Sequence, residues 1–381
     1  MKVIVLGAGL VGGPMAIDLS KDKNFDVTLA DIRKESLERI AKNHSVSVIE
    51  TDLSDPGRVG KLVSDYDMVV NAVPGFMGFQ TFKAIIEAGK NVVDIAFFIE
   101  DPFQLDELAK KNNVTAIMDM GVAPGICNVL IGYADYLLDK TETVNYCVGG
   151  LPEVREWPWE YKAVFSPIDV IEEYTRPARY LENGKMVVKP ALSDPELLNF
   201  PGIGTLEAFN TDGLRSLAST IQCPNMKEKT LRYPGHIEKM RVLREMGLFG
   251  GDPIEVKGQM VRPIDLTAQL LFPKWKLQEG EVDITVMKVM VEGKKENRQI
   301  RYTWDLFDTY DAHTGIHSMA RTTGYSATVA LRMVASGLYA RKGVIVPEYI
   351  GQEPDCVDYL LKGLRERGVV YTFDQSELGE E

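Results

Sequence analysis

Met1-Lys2-Val3-Ile4-Val5-Leu6-Gly7-Ala8-Gly9-Leu10-Val11-Gly12-Gly13 decides the fold. Residues 2–6 form an apolar run of one strand's length, and a strand that is apolar throughout is covered on both faces. Gly7, Gly9 and Gly12 fit G-x-G-x-x-G between that strand and a helix-forming stretch. Asp31 closes the next apolar run, 19 residues beyond Gly12. Strand, glycine loop, helix and a second strand ending in an acid are together the context of a dinucleotide-binding fingerprint. Gly7 permits the tight turn, Gly9 lets the backbone approach a pyrophosphate, and Gly12 allows close helix–strand packing. Leu10 and Val11 complete the loop at a helix N-terminus, whose N–H groups and positive partial charge suit phosphate.

Asp31 also bears on which dinucleotide binds. A carboxylate there accepts the ribose hydroxyls of NAD and repels a 2′-phosphate, so NAD is the cofactor expected. Arg33 could bind such a phosphate, stack near the adenine or stay solvated. Asp52, after the third strand, either meets the adenine amino group or is an ordinary loop acid. Asn71-Ala72-Val73-Pro74 ends the fourth strand, at the edge that faces a cofactor crevice.

The same alternation continues outward. Apolar runs recur at 26–30, 46–49, 68–71, 91–94 and 114–118, with helical patterns such as 34–42 and 102–111 between them. Right-handed crossovers then give an α/β fold, a doubly wound parallel sheet of Rossmann type over 1–122. Beyond Gly121 the strands lengthen and alternate apolar with polar, as in Val282-Asp283-Ile284-Thr285-Val286. Residues 281–293 and 299–310 read as a hairpin turning over 293–297. A second, α+β domain on a mixed or antiparallel sheet is expected over 123–313, carrying substrate and subunit contacts. Met319, Thr323, Ala327, Ala330 and Val334 recur at helical spacing, with Gly337 placed for a C-cap. Residues 317–350 are expected to return to the first domain, and 351–381 to form a C-terminal segment with a frayed acidic tail from Ser376.

Composition narrows the function classes. At ~150 residues per domain, 381 residues suggest two domains. A net charge of −12 argues against a broad basic nucleic-acid surface. No apolar run approaches the ~20 residues of a membrane helix. The opening strand lacks a signal-peptide cleavage site, so a cytoplasmic protein is expected. Cys127, Cys147, Cys223 and Cys356 are widely spaced and read as buried thiols, not a disulfide framework. His313 and His317 lie four apart without a third ligand at suitable spacing, so no metal is expected. The expected partners are a small-molecule amine or amino acid and further copies of the chain, as a dimer or dimer of dimers.

Asp119-Met120-Gly121-Val122-Ala123-Pro124-Gly125-Ile126 resembles the G-x-x-P-G-I element of the saccharopine dehydrogenase family. Further matches follow in order: Val148-Gly149-Gly150-Leu151-Pro152, then Thr230-Leu231-Arg232-Tyr233-Pro234-Gly235-His236, then Met319-Ala320-Arg321-Thr322-Thr323-Gly324-Tyr325, and Gly343-Val344-Ile345-Val346-Pro347-Glu348. The resemblance spans nearly the whole chain. Within the family it is nearest to members that oxidise the ε-amine of lysine. Saccharopine reductases carry an Asn-Arg-Asp-Ser-like element where this chain reads Asn210-Thr211-Asp212-Gly213. The missing arginine argues against saccharopine as substrate.

The implied reaction sends hydride from the ε-carbon of lysine to NAD; the imine left behind is hydrolysed and the resulting aldehyde cyclises. The ε-ammonium, with a free pKa of ~10.4, must first lose its proton. The substrate also needs a partner for its carboxylate, best an arginine, and one for its ammonium. Asp94 and Asp119 end strands at the crevice edge and could hold the amine. In related reductases the acid matching Asp119 is placed to touch substrate; otherwise it is a helix cap or junction hydrogen bond. Arg232, Tyr233, His236 and Arg241 form a second cluster. Arg232 is the candidate carboxylate clamp, with Arg241 beside it. His236 is the candidate base, Tyr233 its substitute, and a solvated His236 in a first helical turn is the plain alternative. Trp157, Trp159 and Tyr161 read as core or subunit contact rather than a slot for the lysine stem. Two other readings stay open: an NADPH-dependent reductase that joins an amine to a carbonyl, and a non-catalytic NAD(P)-sensing regulator.

Overall fold

The computed structural model describes residues 1–278 and 280–379. Along the chain come β1 (Lys2–Leu6), α1 (Gly12–Ser20), β2 (Asp26–Asp31), α2 (Lys34–Ala41), β3 (Ser47–Glu50), α3 (Pro56–Val63), β4 (Met68–Asn71), α4 (Gly75–Glu87), β5 (Asn91–Asp94), α5 (Asp106–Lys111), β6 (Thr115–Ile117) and α6 (Ile126–Leu137). Then follow β7 (Lys140–Pro152), α7 (Pro167–Thr175), β8 (Ala178–Glu182), β9 (Lys185–Lys189), β10 (Glu196–Phe200), β11 (Gly204–Asn210), α8 (Leu217–Thr220), β12 (Asn225–Arg232) and α9 (His236–Glu245). The remainder is β13 (Ile254–Val256), β14 (Gln259–Val261), α10 (Pro263–Trp275), β15 (Asp283–Lys295), β16 (Arg298–Thr309), α11 (Ser318–Ala335), β17 (Gly343–Ile345), α12 (Pro347–Gly351), α13 (Pro354–Glu366) and β18 (Tyr371–Glu377).

The chain divides into two compact units. The first is Met1–Leu137 with Ala320–Tyr371. Its seven-stranded sheet runs β17-β6-β5-β4-β1-β2-β3, every pairing parallel. Strand order reverses between β1 and β4, which makes that junction the topological switch point. Val3, Ile4, Val5 and Leu6 are fully buried, as an apolar strand flanked by helices on both faces requires. The unit runs on past residue 122 to Leu137, because Asn128 of α6 donates through Nδ2 to Glu348 Oε2 of α12 at 3.2 Å. Asp18 fastens the returning helices to α1. It accepts from Thr328 and Arg332 of α11 at 2.6 and 2.8 Å, and from Arg367 at 2.8 Å.

The second unit is Leu138–Met319 with the chain from Thr372 onward. Its main sheet is mixed, in the order β10-β11-β12-β7-β15-β16-β18, with β8 attached to β12 and β9 to β8. The hairpin of β15 and β16 turns over Glu296 and Asn297 alone, both at positive φ (51° and 63°), a two-residue turn in place of 293–297. Gly293 belongs to β15. A Cβ on it would stand 2.1 Å from the Lys140 carbonyl, at a register shift between β15 and β7. A small residue is thus needed for a bulge, not a turn. The C-terminal segment is also placed differently from expectation: 351–371 joins the first unit, and Ser376 and Glu377 end β18 instead of fraying. Glu380 and Glu381 lie outside the described residues. Among the described residues no helix is long and apolar enough to cross a membrane.

Candidate functional site

The glycine loop closes as a phosphate cradle should. A Cβ on Gly12 would stand 1.9 Å from the Gly7 carbonyl, so no other residue lets α1 start so close to the loop. At Gly9 the nearest atom a Cβ would meet is Arg33 Nη2, 3.8 Å away, which leaves this face of the loop open. Asp31 accepts from the Ala8 N–H at 2.6 Å and the Arg33 N–H at 2.8 Å. The Arg33 side chain adds Nε at 3.1 Å and Nη2 at 3.2 Å. Burial pushes the Asp31 carboxyl up, but Arg33 and the Ala8 N–H together hold it below the usual carboxylate range. Asp52 accepts from the Ser54 N–H at 2.9 Å, which lowers its own pKa and closes a local turn. These residues fit a dinucleotide: an open glycine face, a helix N-terminus, and an acid tied to the loop.

Two further acids end strands of the same unit. Asp94 closes β5 and Asp119 follows β6; both are buried. Asn71, the last residue of β4, donates through Nδ2 to Asp94 Oδ2 at 2.5 Å. Ala72, Val73 and Pro74 lead from it into α4. Asp119 has a φ of 51° and precedes a loop in which Gly121 donates to the Pro124 carbonyl. The amide N–H of Gly125 donates to Asn128 Oδ1 at 3.2 Å.

In the second unit Arg232 and His236 meet through Tyr174. Arg232 is buried at the end of β12. Its Nη2 donates to Glu173 Oε2 at 2.6 Å, Nε to the Tyr174 hydroxyl at 3.1 Å, and Nη1 to the Leu231 carbonyl at 2.9 Å. The guanidinium lies 4.6 Å above the Tyr161 ring. His236 Nδ1 is 2.8 Å from the Trp159 carbonyl, which can only accept, so Nδ1 carries the proton. Nε2 therefore accepts from the Tyr174 hydroxyl, 2.9 Å away. Burial, aided by the Arg232 charge, pushes the His236 pKa down to about 3. The imidazole is neutral, enclosed and fully occupied, the opposite of a solvated first-turn histidine.

Tyr233 and Arg241 stand apart from that cluster. The Tyr233 hydroxyl donates to the Pro152 carbonyl at 2.9 Å, and Arg155 stacks 4.8 Å above its ring. Arg241 is on the exposed face of α9. Tyr161 is buried beside Trp275, whereas Trp157 is 83% exposed. His313 is exposed, and His317 Nδ1 lies 3.2 Å from Asp283 Oδ1. No cluster among the described residues could hold a metal. Glu173 and Tyr174 escaped the sequence reading. The spacing of Val170, Ile171 and Tyr174 marks the buried stripe of α7 and so places Glu173 at its border. Thr211 is buried, its hydroxyl donating to Glu228 Oε2 at 2.5 Å.

Residues 3–117 match the saccharopine dehydrogenase NADP binding domain, and 121–369 the saccharopine dehydrogenase C-terminal domain. The saccharopine dehydrogenase (NADP+, L-glutamate-forming) of Schizosaccharomyces pombe is 24% identical over 448 residues, covering 96% of this chain and 98% of that one. The mitochondrial alpha-aminoadipic semialdehyde synthase of Mus musculus is 29% identical over 264 residues, covering 65% of this chain. The match spans only 28% of that longer relative. The apo structure of the saccharopine dehydrogenase (L-Glu forming) of Saccharomyces cerevisiae superposes with a TM-score of 0.80 at 20% identity, covering 99% of this chain and 100% of that one. That likeness is one of fold. Since the C-terminal domain model alone covers more than half of it, the chain belongs to the saccharopine dehydrogenase family.

Proposed function

We propose that this protein is an NAD-dependent oxidoreductase that deaminates the ε-amine of L-lysine, an L-lysine 6-dehydrogenase. The observation that carries the substrate reading is Thr211. It stands where saccharopine reductases place an arginine, and its hydroxyl is turned to Glu228, so it offers no cation to a second carboxylate. Asp31 supports NAD by its place at the end of β2.

The dinucleotide, when bound, accepts the hydride. The chain's own groups must hold and deprotonate the amine. Of the three candidates for the proton, His236 has both ring nitrogens engaged, and Tyr233 already donates to Pro152. Asp119, buried after β6, is the group proposed to take the substrate amine. A carboxylate there accepts from the ammonium at binding, takes its proton, and as the neutral acid keeps that O–H turned to the freed amine. The formation of reduced nicotinamide, followed with lysine, saccharopine and polyamines offered singly with NAD or NADP, tests this. Turnover of lysine with NAD is expected. Turnover confined to saccharopine or to NADP would overturn it, and cofactor binding without any amine-dependent reduction would make the protein a sensor.

A further inference from the structure

Asn71 and Asp94 occupy the centre of the first unit's sheet at its switch point. Asn71 pairs with Leu6 across β4 and β1, and with Asp94 across β4 and β5. Leu6 leads directly into the glycine loop. Both polar side chains are fully buried. Asp94 Oδ1 accepts from the Ala96 N–H at 2.9 Å, and Oδ2 accepts from Asn71 Nδ2. A carboxylate can only accept, so Asp94 dictates that the NH2 end of the Asn71 amide faces it. The carbonyl end then points the other way. Among the described residues no donor reaches Asn71 Oδ1. Native proteins seldom leave a buried acceptor so.

Its position says what the donor is. A dinucleotide lies across the strand ends, adenosine toward β2 and its acid, pyrophosphate at the α1 N-terminus. β4 is on the other side of β1 from β2. The nicotinamide half therefore falls at β4. We propose that Asp94 is a positioning residue: it fixes the Asn71 carboxamide so that Oδ1 accepts from an N–H or O–H on the nicotinamide half of the cofactor. The carboxamide and its neighbouring ribose are the two sources of such a donor. Asp94 thus acts on the cofactor through Asn71, where the sequence reading gives it the substrate. The proposal rests on the nicotinamide reading of the site.

Equilibrium titration of wild type, Asn71→Leu and Asp94→Asn tests it, with NADH, the 3-acetylpyridine analogue of NADH, and AMP. Both variants should bind NADH about threefold to tenfold more weakly. AMP, confined to the adenosine half, should bind all three proteins equally. The analogue lacks the carboxamide N–H. Its weaker binding to wild type assigns the carboxamide as donor, and binding equal to that of NADH assigns the ribose. NADH affinity unchanged in both variants overturns the proposal. So does a parallel loss of AMP and NADH, which marks damage to the fold. Wild type that binds AMP but neither NADH nor NADPH removes instead the cofactor reading beneath it.

Discussion

Arg33 grips Asp31 with two nitrogens, so the acid expected to receive a ribose already holds a cation. With two backbone N–H groups as well, all ~4 lone-pair sites of the carboxylate are taken. Ribose hydroxyls must therefore displace the guanidinium, whose side chain is 59% exposed and free to swing. Arg33→Ala should bind NAD as well as or better than wild type. It should bind NADP about tenfold more weakly, having lost a charge-assisted contact to the 2′-phosphate. Asp31→Ala should do the reverse. Fluorescence titration with NADH and NADPH measures both, and an unchanged NADH/NADPH ratio in Arg33→Ala would remove Arg33 from cofactor choice.

Arg232 has two readings that stability separates. The ion pair with Glu173 is enclosed on the arginine side, whose side chain is 2% exposed. Removing one partner of a buried pair leaves the other uncompensated, at a cost of about 3 kcal/mol. Arg232→Ala should lose that much in urea unfolding, and Arg232→Met combined with Glu173→Gln should recover most of it. A substrate clamp behaves otherwise: Arg232→Ala would keep its stability and lose about tenfold or more in kcat/KM.

His236 should make the protein acid-labile. Its pKa is about 3 in the fold and ~6.5 in an unfolded chain, so between those values the unfolded state binds the extra proton. The contribution is complete above pH ~6.5 and falls by about 1.4 kcal/mol per pH unit as pH drops toward 3. His236→Asn should be less stable at neutral pH and show a shallower acid limb. Superimposable profiles of unfolding free energy against pH would refute the neutral buried imidazole.

Glu228 works in the opposite direction. Burial raises its carboxyl to about 8, despite the Thr211 hydroxyl and the Gly213 N–H. The folded state then holds the extra proton, so this contribution is complete below the unfolded value of ~4.3 and is lost as pH rises through 8. Glu228→Gln mimics the neutral acid. It should match wild type below pH ~4.3 and exceed it increasingly as pH rises toward 8 in chemical denaturation; a variant no more stable at alkaline pH would show that Glu228 is charged in the fold.

The first unit was readable because its information is local. Six of its seven strands fall on the apolar stretches at 2–6, 26–30, 46–49, 68–71, 91–94 and 114–118, and Gly7, Gly9, Gly12 and Asp31 sit at fixed offsets. The second unit hid what depends on distant pairing. Gly293 looks like a turn residue until the Lys140 carbonyl is found against it. Glu173 and Tyr174 lie about 60 positions from Arg232, and no spacing rule connects them. Residues 371–377 are mostly polar and exposed, so only their partner β16 marks them as a strand.

That last strand sets an order of assembly. Leu378 donates to the Gln299 carbonyl at 2.8 Å, and Phe373 packs against Tyr302 and Trp304. During synthesis β16 is made some 60 residues before the strand that covers its edge. In that interval the ribosome carries a nearly finished sheet with an open, aromatic-lined margin, a template for mispairing with other chains. The nucleotide unit, whose residues end at Tyr371, can close first. The unit that begins later in the chain is completed last, and a chain cut just after residue 371 would be prone to aggregate even with its nucleotide unit intact.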